Sequence, residues 1–417
     1  MSQTNCYCDN DPTQLSIEEA LQRILTAVPT LADTETVRVK AAVDRVLAEP
    51  LEATVAVPPE RVSAMDGYAV RFADLPTSTP FTLPVAGKSL AGHPFMGELQ
   101  SGQAVRITTG AVVPNGADTI IIQEVTRLEG SQLTISELPD EGHYVRAAGT
   151  DIREGVTLLP SHTRLTPAAL GLAAATGKPD LQVLRRPRVA IFSTGDELVQ
   201  AGDQLRYGQI YDSNSTTLYT LLDRNGCDVI DLGIVRDDQA ALDKAFTRAA
   251  DADLIISTGG VSVGEADFVK DALEKHGEMQ LWKIAIKPGK PLTFGKLRSG
   301  ALFFGLPGNP VSGVVTFALF VRPALQALQG LAPHDTISFR ATCLDTLKKA
   351  PGRREYQRGI LHRNEDGHLQ VSTTGVQESH ILSSLHEANC FVVLPEASDG
   401  ARPGDEVSVI SFAELGL

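Results

Sequence analysis

Between Ile256 and Asp271 the chain reads ISTGGVSVGEADFVKD. Gly259, Gly260 and Gly264 let backbone N–H groups approach an anion closely, and a helix starting just after them adds the partial positive charge of its N-terminus. Glu265 and Asp267 follow at once. The loop lacks the Lys-Ser/Thr that completes a nucleoside-triphosphate P-loop, so it does not read as one. The same glycines also suit a tight strand-to-helix turn needing positive φ, with Asp267 as an ordinary acid at a helix start. The pattern alone leaves both readings open.

Downstream, KIAIKPGKP crowds Lys283, Lys287 and Lys290 into an otherwise acidic chain. In an extended segment Lys283 and Lys287 share one face, where they could neutralise phosphate or another oxyanion. Lysines also guard solvated strand edges, and Pro288-Gly289 marks a turn that sends Lys290 elsewhere. Acids stand at similar places: Asp196 and Glu197 after one strand, Asp237 and Asp238 before a helix. Converging near a phosphorylated ligand, such carboxylates suit Mg²⁺, which takes one or two of them with substrate oxygens and water. As single residues, Asp237 or Asp238 is a plain N-cap, and Asp212 and Asn214 read as turn and cap. In FFGLPGNPVSG, Asn309 is a natural N-cap and Pro310 a first-turn residue; Pro307 and Gly308 are either structural or a rigid wall of a ligand cleft. Asp66-Gly67 reads as a hairpin turn. RITTGA and STTGVQESHILSS show no chemistry on their own, and no Ser/His/Asp arrangement follows from spacing.

The elements that must carry these residues are legible in outline. Ser16 and Glu19 make a capping box, with Ile17, Leu21, Ile24 and Leu25 as one helix face; Val39 to Leu47 is expected to continue in helical style. From Asp66 to about Val145, short β-rich runs broken by Gly, Pro and Asn predict a small β domain. TPAALGLAAATG predicts a helix with Thr166 as cap, Pro167 in its first turn and Gly177 past its end. From Arg188 strands and helices alternate, which implies a mostly parallel, doubly wound sheet. Two of its strands end alike, in Ser193-Thr194-Gly195 and Ser257-Thr258-Gly259. That is the edge where open α/β sheets bind ligands. After about Pro333 the texture is β again, predicting a small C-terminal barrel or sandwich.

With 417 residues the chain exceeds one ordinary core, and roughly two to four domains are expected. A net charge of -14 and the lack of a basic block argue against nucleic acid as the main ligand. No apolar run reaches the ~18 residues of a membrane span, and the polar start MSQTNCYCDNDPTQ is unlike a signal peptide, so a cytoplasmic protein is expected. Its 5 cysteines form no disulfide framework. Cys6 and Cys8 read either as a metal-binding pair or as free thiols in a tail.

Taken together and in order, SAMDGYAV, RITTGAVVP, FSTGDEL, GQIYDSN, STGGVSVGEADF, KIAIKPGKP, FGLPGNPVSG and GRREYQRG resemble the MoeA family of molybdopterin molybdenumtransferases, to which the C-terminal domain of gephyrin also belongs. The resemblance runs from the capping box to the C-terminus. It implies an α/β multidomain subunit. Residues 13–53 with 147–185 would form a helical linking domain, 54–146 an inserted β domain, 186–332 a doubly wound molybdopterin-binding-like domain, and 333–417 a C-terminal β barrel. It implies a homodimer with the active cleft between the doubly wound domain of one subunit and the inserted β domain of the other. The implied reaction takes adenylylated molybdopterin and molybdate, inserts molybdenum at the dithiolene sulfurs and releases AMP, assisted by Mg²⁺.

By motif match, Glu197, Asp237 and Asp267 are the acids near metal and pyrophosphate. Lys283 and Lys287 would hold oxyanions. Asp66, Thr109 and Asp151 come from the β-domain side, and Pro307 and Pro310 shape the cleft. Asp212, Ser257, Gly259, Gly260, Ser262, Gly264 and Lys290 join them as substrate-binding positions. Arg358 and Ser379 would touch molybdate or substrate from the C-terminal domain. Asp66, Glu197, Asp237, Asp267, Lys283 and Lys287 form the catalytic set. Thr150 stands where family members often carry an acid, which puts local charge beside Asp151 in question. A molybdopterin adenylyltransferase and molybdoenzyme maturation proteins are the implied partners. Two rival functions are a non-catalytic scaffold and a molybdopterin adenylyltransferase.

Overall fold

Helix α1 (Ile17–Ala27) starts at the predicted capping box: Ser16 Oγ accepts from Glu19 N, and the Glu19 carboxylate accepts from Ser16 N. The computed structural model describes residues 14–236, 238–259, 276–332 and 336–417. Its chain forms two compact units. One runs to Thr34 and resumes at Leu184; the other is Glu35–Val183. The expected helical domain is thereby divided, because α1 packs into the core of the larger unit.

In the smaller unit the helix expected over 39–47 does not form. A single 3₁₀ turn (Val39–Ala41) ends at once, Asp44 takes φ 62°, and Val46 and Leu47 make β-bridges to Arg164 and Val183. Valines at 39, 43 and 46 favour that extended outcome. Six strands follow: β1 (Gly67–Val70), β2 (Phe81–Ser89), β3 (Ala104–Ile107), β4 (Thr119–Ile122), β5 (Thr126–Glu129) and β6 (Gln132–Ile135), in the order β4-β1-β3-β2-β6-β5. Alternate residues of the central strands enter separate cores on the two faces, Ala69, Val105 and Ile120 on one, Tyr68, Val70 and Ile121 on the other. Asp66-Gly67 is not a hairpin. Gly67 sits inside the sheet, pairing with both Ile107 and Ile122, and a Cβ there would lie 2.0 Å from the Ile121 carbonyl oxygen. The glycine serves close packing rather than a turn. Helix α2 (Pro167–Ala175) has the cap, proline and closing glycine that the sequence predicts.

The larger unit contains β7 (Arg188–Thr194), α3 (Asn214–Arg224), β8 (Asp228–Val235), α4 (Gln239–Arg248), β9 (Leu254–Thr258), β10 (Gly277–Lys283), β11 (Ile286–Lys287), β12 (Pro291–Leu297) and β13 (Leu302–Leu306). The sheet order is β8-β7-β9-β13-β12-β10. The first four strands are parallel, and β12 and β10 are added antiparallel. Both faces are covered. Val189, Ile191, Ile256 and Phe304 pack with α1, α3 and the helical run beginning at Pro310, while Ala190, Phe192, Ile255 and Phe303 pack with α4. That run is α5 (Pro310–Thr316), a π turn (Phe317–Val321) and α6 (Arg322–Leu328). By length and mean hydropathy it could cross a membrane, yet 67% of it is buried inside the protein, as in a core helix.

A closed five-stranded barrel ends the chain. It comprises β14 (Phe339–Cys343), β15 (Arg354–Arg363), β16 (Leu369–Thr373), β17 (Cys390–Leu394) and β18 (Glu406–Ser411), joined in the ring β15-β16-β14-β18-β17-β15. The short helix α7 (Ser383–Glu387) precedes β17. Tyr356 and Phe391 of the barrel share one core with α1 and α6, which fixes the barrel against the α/β layer. Cys227, Cys343 and Cys390 are buried; burial pushes the Cys390 thiol up to about 12. Cys6 and Cys8 lie outside the described residues.

Candidate functional site

Three parallel strands end side by side. Ser193 of β7 is level with Thr258 of β9, and Thr258 is level with Leu306 of β13. Strand β8 lies on one side of β7 and β9 on the other, so the two Ser-Thr-Gly ends flank the point where the winding reverses, the usual ligand crevice of such sheets. A cleft of about 650 Å³ opens there. Its walls include Thr194, Glu197, Asp212, Thr258, Gly259 and the Pro307–Pro310 turn.

The turns must be bare to fit. Gly259 has φ +83°, its N–H donates to the Leu306 carbonyl at 3.1 Å, and a Cβ there would stand 2.4 Å from the Thr194 carbonyl oxygen. Gly308 faces Gly259, with their nearest approach 3.7 Å from a built Cβ. Two hydroxyls near this edge, Thr194 Oγ1 on the cleft wall and Ser257 Oγ within β9, are buried with no hydrogen-bond partner among the described residues. Unmet buried donors carry a desolvation penalty, which a bound oxygen-rich ligand would relieve.

The walls are braced by hydrogen bonds rather than by simple caps. Asn309 occupies the N-cap position of α5, but its side chain makes no cap bond. The Val311 N–H instead donates to the Ser379 carbonyl at 3.0 Å, and Asn214 Nδ2 donates to the Gly308 carbonyl at 2.7 Å. Asp212 does cap, its carboxylate accepting from Ser215 N at 3.1 Å while it lines the cleft. Asp238 caps α4 through Ala241 N. From the barrel, His380 and Leu382 reach the same cleft. Sequence spacing gave no hint of His380, whose only signal is its place beside Ser379.

Arg358 differs from the expected oxyanion contact. It is 1% exposed, and its guanidinium donates to Ser384 Oγ and to the carbonyls of Val376, Gln377 and Glu378. In this arrangement it holds the loop that leads to Ser379 and His380. Burial lowers its pKa from the ordinary arginine value.

The lysines part company as well. Lys283 ends β10 in the α/β sheet, whereas Lys287 lies in β11, which pairs with barrel strand β15. They do not share one extended face. The chain bends between them because Leu15 bonds to Lys283 O and receives the Ala285 N–H, and Ile284 N closes onto Lys290 O. Lys287 Nζ lies 3.2 Å from the buried Glu355 carboxylate. Lys283, Lys287 and Lys290 are not among the cleft-lining residues. Asp237, Gly260, Ser262, Gly264, Glu265 and Asp267 fall outside the described residues. Among the described residues no group of three His, Cys, Asp or Glu side chains is placed to hold a metal.

In the smaller unit Asp66 and Thr109 meet. One Asp66 carboxylate oxygen accepts from Thr109 N at 2.7 Å and Thr109 Oγ1 at 2.9 Å. Those two bonds, the backbone one first, hold the Asp66 carboxyl below its usual range, with Arg106 assisting. Asp151 is exposed on the loop 147–153, which lines a shallow depression of its own.

Comparison with known proteins decides the relationship. Residues 15–177 match the MoeA N-terminal region (domain I and II), 190–327 the probable molybdopterin binding domain, and 340–412 the MoeA C-terminal region (domain IV). A molybdopterin molybdenumtransferase from Haemophilus influenzae is 45% identical over 96% of this chain and 99% of that protein. The chain belongs to the MoeA family. Another MoeA-family relative, a molybdopterin molybdenumtransferase from Nostoc, is 39% identical over 95% of this chain and 94% of its own. The crystal structure of the molybdopterin biosynthesis MoeA protein from Pyrococcus horikoshii OT3 superposes with a TM-score of 0.82 at 28% identity, covering 95% of this chain and 100% of that one.

Proposed function

We infer that this MoeA-family chain catalyses the molybdopterin molybdenumtransferase reaction, taking adenylylated molybdopterin and molybdate and releasing AMP and molybdenum cofactor. The observation that carries this reading is the cleft at the ends of β7, β9 and β13, walled by the glycine turns and by Thr194, whose buried hydroxyl has no hydrogen-bond partner among the described residues. Such an edge suits the phosphoanhydride of the substrate. Backbone N–H groups and hydroxyls bind its oxygens, and the Pro307–Pro310 turn keeps the wall rigid. In the chemical step a water oxygen bonds to phosphorus, the anhydride P–O bond breaks, and AMP leaves. Glu197 on the cleft wall is the carboxylate proposed to orient that water or accept its proton, since Asp212, on the same wall, is held by Ser215 N.

The donor set also suits Mg²⁺: Glu197 offers a hard oxygen ligand, the Thr194 hydroxyl lies on the same wall, and the family resemblance adds the acids Asp237 and Asp267. When bound, the ion would neutralise charge on the pyrophosphate. Lys283, Lys287, Lys290 and Ser379 are proposed for the anionic groups, Lys287 for molybdate foremost, with Arg358 bracing the loop that carries Ser379. The proposed working unit is a cytoplasmic homodimer in which Asp66, Thr109 and Asp151 serve the partner's cleft, supplied by a molybdopterin adenylyltransferase. The reaction is tested by supplying adenylylated molybdopterin without ATP. AMP is expected to appear only when molybdate is present. A requirement for ATP would point to an adenylyltransferase instead, and an intact substrate over a folded sample would point to a scaffold.

A further inference from the structure

We propose that Glu355 is a positioning residue for Lys287: a buried carboxylate on barrel strand β15 that holds the Lys287 ammonium group ready for a tetrahedral oxyanion. This rests on the reading of Lys287 as an anion ligand. Strand β11 joins β15 in parallel with Lys287 opposite Glu355, so the register itself brings the two side chains together. Lys287 Nζ lies 3.2 Å from Glu355 Oε1, with the Glu355 side chain 5% exposed and that of Lys287 49% exposed.

The carboxylate is fixed from behind. Gln357 Nε2 donates to the same Oε1 at 3.1 Å and to the Lys348 carbonyl at 3.1 Å. The neighbouring Lys349, within electrostatic reach of Glu355, has its ammonium turned onto the carbonyls of Ala350, Glu396 and Ser398. Among the described residues Lys287 is therefore the cation that meets the Glu355 oxygen directly. A carboxylate so buried is costly without a cation beside it, which ties the lysine down from its inner side. The ammonium has three N–H donors; its ion pair among the described residues is the one with Glu355 on its inner side, which leaves its solvent side for a ligand. A lysine held in this way loses less rotamer freedom when it binds an anion.

The test measures AMP release against molybdate concentration for the full-length protein and for Glu355→Gln, Glu355→Asp, Lys287→Ala and the Glu355→Gln/Lys287→Ala double variant, with thermal unfolding followed in parallel. Glu355→Gln is expected to raise the KM for molybdate by about tenfold with a smaller change in kcat, in line with a lost charged hydrogen bond. Glu355→Asp, which keeps the charge, should recover part of this. The double variant should match Lys287→Ala alone. If Lys287→Ala raises the molybdate KM while Glu355→Gln leaves it unchanged, or if the two losses multiply in the double variant, the positioning role is overturned and the lysine reading stands. If Lys287→Ala itself leaves the molybdate KM unchanged, the lysine reading fails, and the positioning role fails with it. Should Glu355→Gln not fold, the Glu355→Asp variant decides, since a shortened carboxylate that leaves the molybdate KM unmoved also overturns the role.

Discussion

Asp66 shows what one residue can reveal and conceal. As a letter it marks a turn; in the fold its carboxylate is held by two bonds from Thr109, a residue distant in sequence. Because its folded value lies below the usual carboxylate value, the contact is fully present above about pH 4 and is lost as pH falls through the depressed value. Thr109→Val, which removes the hydroxyl bond and keeps the backbone one, should move the Asp66 midpoint upward in a carboxyl NMR titration; an unmoved midpoint would mean the hydroxyl bond does not hold in solution. His380 is the opposite case, silent in sequence and present in the cleft wall. His380→Ala is expected to raise the KM for adenylylated molybdopterin by about tenfold, the size of one lost ligand hydrogen bond, with the unfolding temperature preserved.

At the scale of elements, the helices with complete local signals were readable. α1 with its capping box and α2 with its Thr-Pro start both form as the sequence predicts. Buried parallel strands were readable too, because both faces are apolar and the run is continuous. What failed were readings that depend on partners from elsewhere in the chain. Lys283 and Lys287 fall into different sheets because Leu15 bonds to the chain between them, and the orphan Val311 N–H finds the Ser379 carbonyl rather than the Asn309 side chain.

The Gly259 turn is the element most sensitive to change. Gly259→Val places a side chain where a Cβ already meets the Thr194 carbonyl at 2.4 Å and where φ is positive. It should lower stability by about 1–3 kcal/mol in denaturant unfolding and abolish AMP release. Arg185, just after the chain re-enters the larger unit, donates to both oxygens of Asp253 and to Asp33. Arg185→Ala should cost about 2 kcal/mol, read as a shifted unfolding midpoint at unchanged slope.

For the whole molecule, the larger unit is one continuous construction. Barrel, α1 and the α/β sheet share a core, so the barrel loop carrying His380 and Leu382 is held at the sheet's ligand edge. The order of motifs along the chain had pointed to the family before any geometry, and the three matched regions agree. The role of each acid was not legible, since that depends on which carboxylates converge. Under the proposed function this cleft couples anhydride cleavage to molybdenum insertion. The most direct measurement supplies adenylylated molybdopterin, molybdate and Mg²⁺ together. It counts AMP released against cofactor that activates a molybdenum-free apo-enzyme, with Glu197→Ala as the control. The two products are expected to rise one for one, and both to be lost in the variant. AMP without active cofactor, or active cofactor formed while the anhydride stays intact, would contradict that coupling.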